Sequence, residues 1–227
     1  MPFRVAPLAA FNILLAALIL AVGLPGLFAD AVRLPSEVTI HELQTGQPVA
    51  QADDETAIGR LGWAAMTSNT AHADLALAML ADATDPDSTE YRVAGDHAAR
   101  QLRTYLAAAP GDSRAWANLA LAEMRRDTRG AAVIPFKMSV ELAPASAVDL
   151  VWRCGFGIDL YPVLDDNGKA MLARQFRLAM DDGLDGSIPE QVVRLTLGKR
   201  ALPLVWGFIA DDPAARARLE SLLARKE

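Results

Sequence analysis

One cysteine, Cys154, stands in a chain of 227 residues. An intramolecular disulfide is therefore excluded, and so is a zinc site built on the usual sulfur ligands. Cys154 sits among small residues in Val151-Trp-Arg-Cys-Gly-Phe-Gly157, the setting of a buried structural thiol rather than a reactive one. Histidine is scarce as well. His41, His72 and His97 include no pair at the one-turn spacing that places two imidazoles on one metal. Neither Gly-x-Ser-x-Gly nor Ser-x-x-Lys occurs, and Gly155-Phe-Gly157 lacks the preceding strand and third glycine of a dinucleotide loop. With aromatics at only 6% and β-branched runs short, the abundant alanine and leucine favour helices over sheets. Glu37-Val-Thr-Ile-His41 is the one short strand candidate. The expected class is all-α, with no metal and no cofactor.

Charge is missing from the N-terminus. Arg4 is the only charged side chain in the first 29 residues, so a formal net charge of −6 leaves −7 on the body from residue 30 onward. That acidic body is a poor electrostatic match for nucleic acid or an anionic membrane surface, and Arg125-Arg126-Asp-Thr-Arg129 is too short a basic run to reverse this. Nucleic acid is not an expected partner. Val5–Ala29 is uncharged and has no polar face. As a helix its 25 residues would extend about 37 Å, against a hydrocarbon core of about 30 Å. Gly23, Pro25 and Gly26 shorten the effective span to Pro7–Leu24. A cleaved leader ending near Ala29-Asp-Ala31 is the competing reading, but its apolar region is normally about 7–15 residues. The sequence thus predicts a single-pass contact with the lipid bilayer through residues 5–29. With Arg4 and the α-amine on the cytoplasmic side, the body lies across the inner (cytoplasmic) membrane, in the periplasm of a diderm bacterium.

Residues 30–52 are expected as a polar, proline-punctuated linker, followed by a helical domain over 53–227. Apolar spacing predicts helices over 54–68, His72–Asp82 and Thr89–Ala109, then from Asp112 or Ser113 to Arg126 and over Ala131–Leu142. Pro135 falls inside the last of these and is expected to kink it or delay its start. Further helices are predicted over Ala147–Leu160, Lys169–Met180, Pro189–Ala201, Leu204–Ile209 and Pro213–Arg225. Asp165-Asp-Asn-Gly168 and Asp181–Gly186 are expected as turns. The second fails as a calcium loop, because Gly183 and Val192 occupy the third and twelfth positions.

Pro110 and Pro144 stand 34 residues apart, and between them Trp116, Leu119, Ala120, Ala132, Phe136, Ser139 and Leu142 follow in order. This pattern over Ser113–Ser146 resembles the tetratricopeptide repeat, in which bulky and small residues let two antiparallel helices nest. Glu123 replaces the family's usual tyrosine, so packing at that point must differ. A partial repeat precedes this one, and beyond Pro144 the phase is lost. The resemblance implies a short, irregular tetratricopeptide-like solenoid behind one transmembrane helix. It further implies a non-enzymatic scaffold or adaptor that holds a protein or peptide partner at the membrane, with Asn118 and Arg125 as candidate contacts. The exported anchor, short repeats and the Arg174–Arg177 helix also look like accessory proteins of bacterial surface-polysaccharide clusters. Two alternatives stand beside the adaptor: a glycan-acting enzyme with carboxylates between helices, or a purely structural subunit of an envelope complex. The four tryptophans, Trp63, Trp116, Trp152 and Trp206, are expected either in helix packing or in a groove that anchors a partner.

Overall fold

The computed structural model describes residues 27–36, 38–39, 51–66, 68–82, 85–181, 183 and 187–225. Its regular elements are all helical, and no described residue lies in a strand. The strand candidate at Glu37–His41 is corrected: Val38 and Thr39 are helical. An isolated strand there would have no ladder partner for its backbone groups. The expected membrane span lies, up to residue 26, outside the described residues. Among the described residues no helix is long and apolar enough to cross a membrane. Residues 27–33 are helical, so the segment expected as linker from residue 30 begins as helix. The chain divides into two compact units, residues 1–110 and 111–227.

In the first unit, helices α1 (Gln51–Ala64), α2 (Asn69–Asp82) and α3 (Thr89–Ala108) pack in sequence, α1 on α2 and α2 on α3. Small residues set their spacing, since Ala76, Ala78, Ala98 and Ala99 are fully buried. Asn69 at the start of α2 donates to the carbonyl of Tyr105 near the end of α3, which fixes the two antiparallel. The turn before α3 is built by its own side chains. Asp85 accepts from the Asp87 N–H, and Ser88 caps the helix by accepting from the Tyr91 N–H at 3.0 Å. Upstream, Ala29 is buried with Ala64 and Ala71, and Arg33 pairs with Asp74. A 3₁₀ turn at Leu34–Ser36 packs on α1.

The second unit opens with the hairpin of the predicted repeat, α4 (Ser113–Arg125) and α5 (Arg129–Leu142), packed closely on each other. Asp112 caps α4 by accepting from the N–H groups of Arg114 and Ala115. Leu119, Ala120, Ala132, Phe136 and Ser139 are buried at the marker positions, whereas Leu142 and Pro144 lie outside the core. Pro135 does not delay α5, which begins six residues ahead of it. Glu123 is 2% exposed, and its carboxylate accepts from Arg126 at 2.7 Å and from the Thr128 hydroxyl at 3.1 Å. The Thr128 hydroxyl also donates to the Glu123 carbonyl at 2.8 Å, so the buried carboxylate is held by side chains at the end of α4. The Thr128 N–H reaches the Glu123 carbonyl and the Asp127 N–H that of Met124, a Schellman closure with Asp127 at φ 60°.

Next come α6 (Ala147–Leu160), a 3₁₀ turn at Tyr161–Val163, α7 (Asp166–Ala179), α8 (Ser187–Gly198), α9 (Leu202–Phe208) and α10 (Pro213–Ala224). Helix α6 is central, packed by α5, α7 and α8. The apolar stripe of α10 (Ala215, Leu219, Leu222) is buried in the core, with α10 against α8. Helix α8 ends in a second Schellman closure, in which Arg200 takes φ 54° with an exposed side chain. An L-residue there pays about 1–2 kcal/mol of left-handed strain, which glycine avoids at some entropic cost. Arg200→Gly is therefore expected to raise stability by roughly 0.5–1 kcal/mol in denaturant titrations. No gain would mean that the strain is relieved locally.

Asp165 caps α7 by accepting from the Gly168 N–H at 2.7 Å, and Lys137 of α5 donates to its other oxygen at 2.9 Å. The hydrogen bond from Lys137, then that from Gly168, holds this carboxyl below the ordinary carboxylate range. A folded-state value below the unfolded one contributes stability that is full above the ordinary range and lost as pH falls through the depressed value. Asp165→Ala should lower the melting temperature at neutral pH, with the deficit shrinking in acid. A deficit independent of pH would assign the effect to lost packing instead.

Candidate functional site

A helix in water turns its apolar stripe inward, and α1 does so with Ala57, Leu61 and Ala64, all buried. Trp63 lies two residues past Leu61, about 200° around the helix and off that stripe. It is accordingly 66% exposed, and Met66 in the following turn is 75% exposed. Between them and α2 runs an open groove of about 610 Å³. Ile58, Gly59 and Gly62 of α1 and Leu75 and Met79 of α2 line its interior, with Trp63 and Met66 among the lining residues as well. A Cβ built on Gly59 or Gly62 meets nothing within 4 Å, so the two glycines leave open space on this face of α1. At one wall His72 Nδ1 is hydrogen-bonded to Gln101 Oε1, which ties α2 to α3.

A second hollow of about 430 Å³ adjoins it, sharing Ile58 and Met79. Its walls add Val93 and Ala94 with the polar side chains of Asp82, Thr89, Glu90 and His97. Asp82 and Glu90 are exposed. Both hollows suit an apolar segment laid across them: aromatic and thioether side chains adapt to irregular partners, and clustered exposed apolar groups favour association.

The residues expected to make contacts lie elsewhere. Asn118 and Arg125 are half-buried on α4 of the second unit, seven residues apart and so on one helix face. Neither lines the groove. Of the tryptophans, Trp152 stacks on Phe156 at 4.7 Å, and Trp116 and Trp206 are half-buried, which is packing. Trp63 alone is largely exposed. The signal for it was present in the sequence as a tryptophan out of register with Ala57, Leu61 and Ala64, directly after Gly59 and Gly62.

The other motifs are absorbed by the fold. Gln175 donates to the Pro144 carbonyl at 2.9 Å, Phe176 is fully buried and Arg177 Nε donates to the Phe208 carbonyl at 3.0 Å, so Arg174–Arg177 is a packing element. The Gly183 N–H bonds to Asp181, a turn rather than a calcium ligand set. Cys154 is buried, and that burial pushes its thiol well above the ordinary range, away from the thiolate form. Among the described residues no group of three or more His, Cys, Asp or Glu is placed to hold a metal. His41 lies outside the described residues. Comparison with family models, with curated proteins and with solved structures gives no match to this chain.

Proposed function

We propose that this protein is a non-catalytic, membrane-tethered adaptor that holds an apolar segment of a partner protein in the groove of its first unit. The observation that carries the reading is the groove over Gly59 and Gly62, rimmed by exposed Trp63 and Met66. The uncharged stretch up to residue 26 supplies the tether in the inner membrane, with the body on the periplasmic side; of the expected span 5–29, Ala29 instead packs in the first unit. The α4/α5 hairpin, buried at Ala120, Ala132, Phe136 and Ser139, supports a tetratricopeptide-like origin for the second unit. There Asn118 and Arg125 offer a further polar contact face. A place in envelope or surface-polysaccharide assembly follows only from the weaker resemblance at the sequence level.

The test is photo-cross-linking in native membranes from a benzoyl-phenylalanine placed at Gly62, where a side chain has room. A discrete protein adduct is expected, and Gly59→Phe, which occupies the adjacent space, should abolish it. Absence of any protein adduct while the chain remains membrane-bound would reject the adaptor.

A further inference from the structure

The first unit carries an apolar feature at its entry, where the uncharged residues 5–26 give way to the helical stretch 27–33. Leu27, Phe28, Leu34 and Val38 are each more than half exposed. Leu27, Ala31 and Leu34 follow at i, i+4 and i+7 along one face, with Asp30, three residues after Leu27, at that face's edge. Buried Ala29 packs with Ala64 and Ala71, Arg33 pairs with Asp74, and the Leu34–Ser36 turn packs on α1. These contacts hold the stretch beside the end of α1 that leads into Met66. Elsewhere the exposed large apolar side chains (Val93, Ile134, Leu142, Val163, Leu197) are scattered along the chain, as on any soluble surface.

We infer that this collar of Leu27, Phe28, Leu34, Val38, Trp63 and Met66 seats the first unit on the lipid bilayer. The inference rests on the proposal that the uncharged stretch ending at residue 26 spans the membrane. A chain leaving the hydrocarbon at residue 26 places Leu27 and Phe28 within about 3 Å of it along a helix. Trp63, with its apolar body and N–H, is suited to the headgroup boundary. The body's charge of −7 repels anionic lipid, so the contact is apolar and with zwitterionic lipid, and it is insensitive to salt. The groove then opens at the membrane surface, and the segment it takes is a membrane-proximal one.

The test is tryptophan quenching on the full chain in phosphatidylcholine vesicles, with Trp63→Phe used to isolate the Trp63 emission. Brominated acyl chains are expected to remove most of that emission, at low and high salt alike, while aqueous iodide leaves it largely intact. Met66→Glu, at an exposed position, should restore much of it. If the vesicles float with the chain bound but iodide rather than bromolipid quenches Trp63, the seat is overturned and the tether stands. If the chain does not float with the vesicles, the tether fails and the seat with it.

Discussion

Replacing Arg153 by alanine is expected to destabilise the second unit by about 3–5 kcal/mol, the scale seen when one member of a buried charged network is removed. Arg153 projects from α6 and is 0% exposed. Its Nη1 donates to the Ala143 carbonyl at 2.6 Å and its Nη2 to the Ser139 carbonyl, with Asp149 at 3.4 Å. Those carbonyls close the C-terminus of α5, where backbone acceptors have no partner within the helix and the dipole favours a cation. Gln175 of α7 completes the arrangement at Pro144, so one turn is held from two further helices. Burial pushes the guanidinium's pKa down, and Asp149 opposes this. A guanidinium remains charged regardless, which is why its removal leaves acceptors stranded rather than a neutral gap. Arg153→Lys should recover little, because an ammonium on a flexible stem does not reproduce the planar fork. Denaturant unfolding followed by circular dichroism reads the loss. A change under about 1 kcal/mol would mean that water replaces the side chain at both carbonyls.

The second large effect is expected at Gly157. A Cβ there would lie 2.3 Å from Leu172 Cδ1 on α7, and Leu172 is fully buried. Alanine gains about 1 kcal/mol in helix propensity, but overpacking costs typically 1–3 kcal/mol and here meets a side chain with nowhere to go. Gly157→Ala should therefore be net destabilising. Gly155, two residues away and about 200° around α6, faces Leu195 of α8 at 2.6 Å. Leu195 is only half-buried and can turn aside, so Gly155→Ala should cost less. Adding Leu172→Ala to Gly157→Ala should cost less than the two changes summed, since the new methyl fills part of the cavity. Strict additivity would show that α6 and α7 separate rather than repack.

Both effects lie in a stretch that the sequence marked only as small and apolar. Gly155 and Gly157 were legible as something other than a dinucleotide loop, but which helix each faces depends on α7 and α8 returning to α6. Arg153 gave no local signal at all, because its partners are carbonyls 10 and 14 residues upstream whose positions depend on how α5 ends. The groove was half-legible. The register of Ala57, Leu61 and Ala64 left Trp63 outside the stripe, yet only the packing of α2 and α3 showed that a hollow lies beneath it.

Helix positions, caps and turns were determined by the sequence itself. Period, proline and Asp or Ser caps act over one or two turns, and Asp112, Ser88 and Asp165 cap where the chain places them. The buried face of the repeat hairpin was legible for the same reason, as was the acidic body beyond an uncharged N-terminus. The tertiary structure alone decided that the body forms two units, that α6 is the centre of the second, and that Trp63 and Met66 are left exposed. Such outcomes arise from contacts between residues distant in the chain, where burial is shared among elements and no local pattern says which face will be left uncovered.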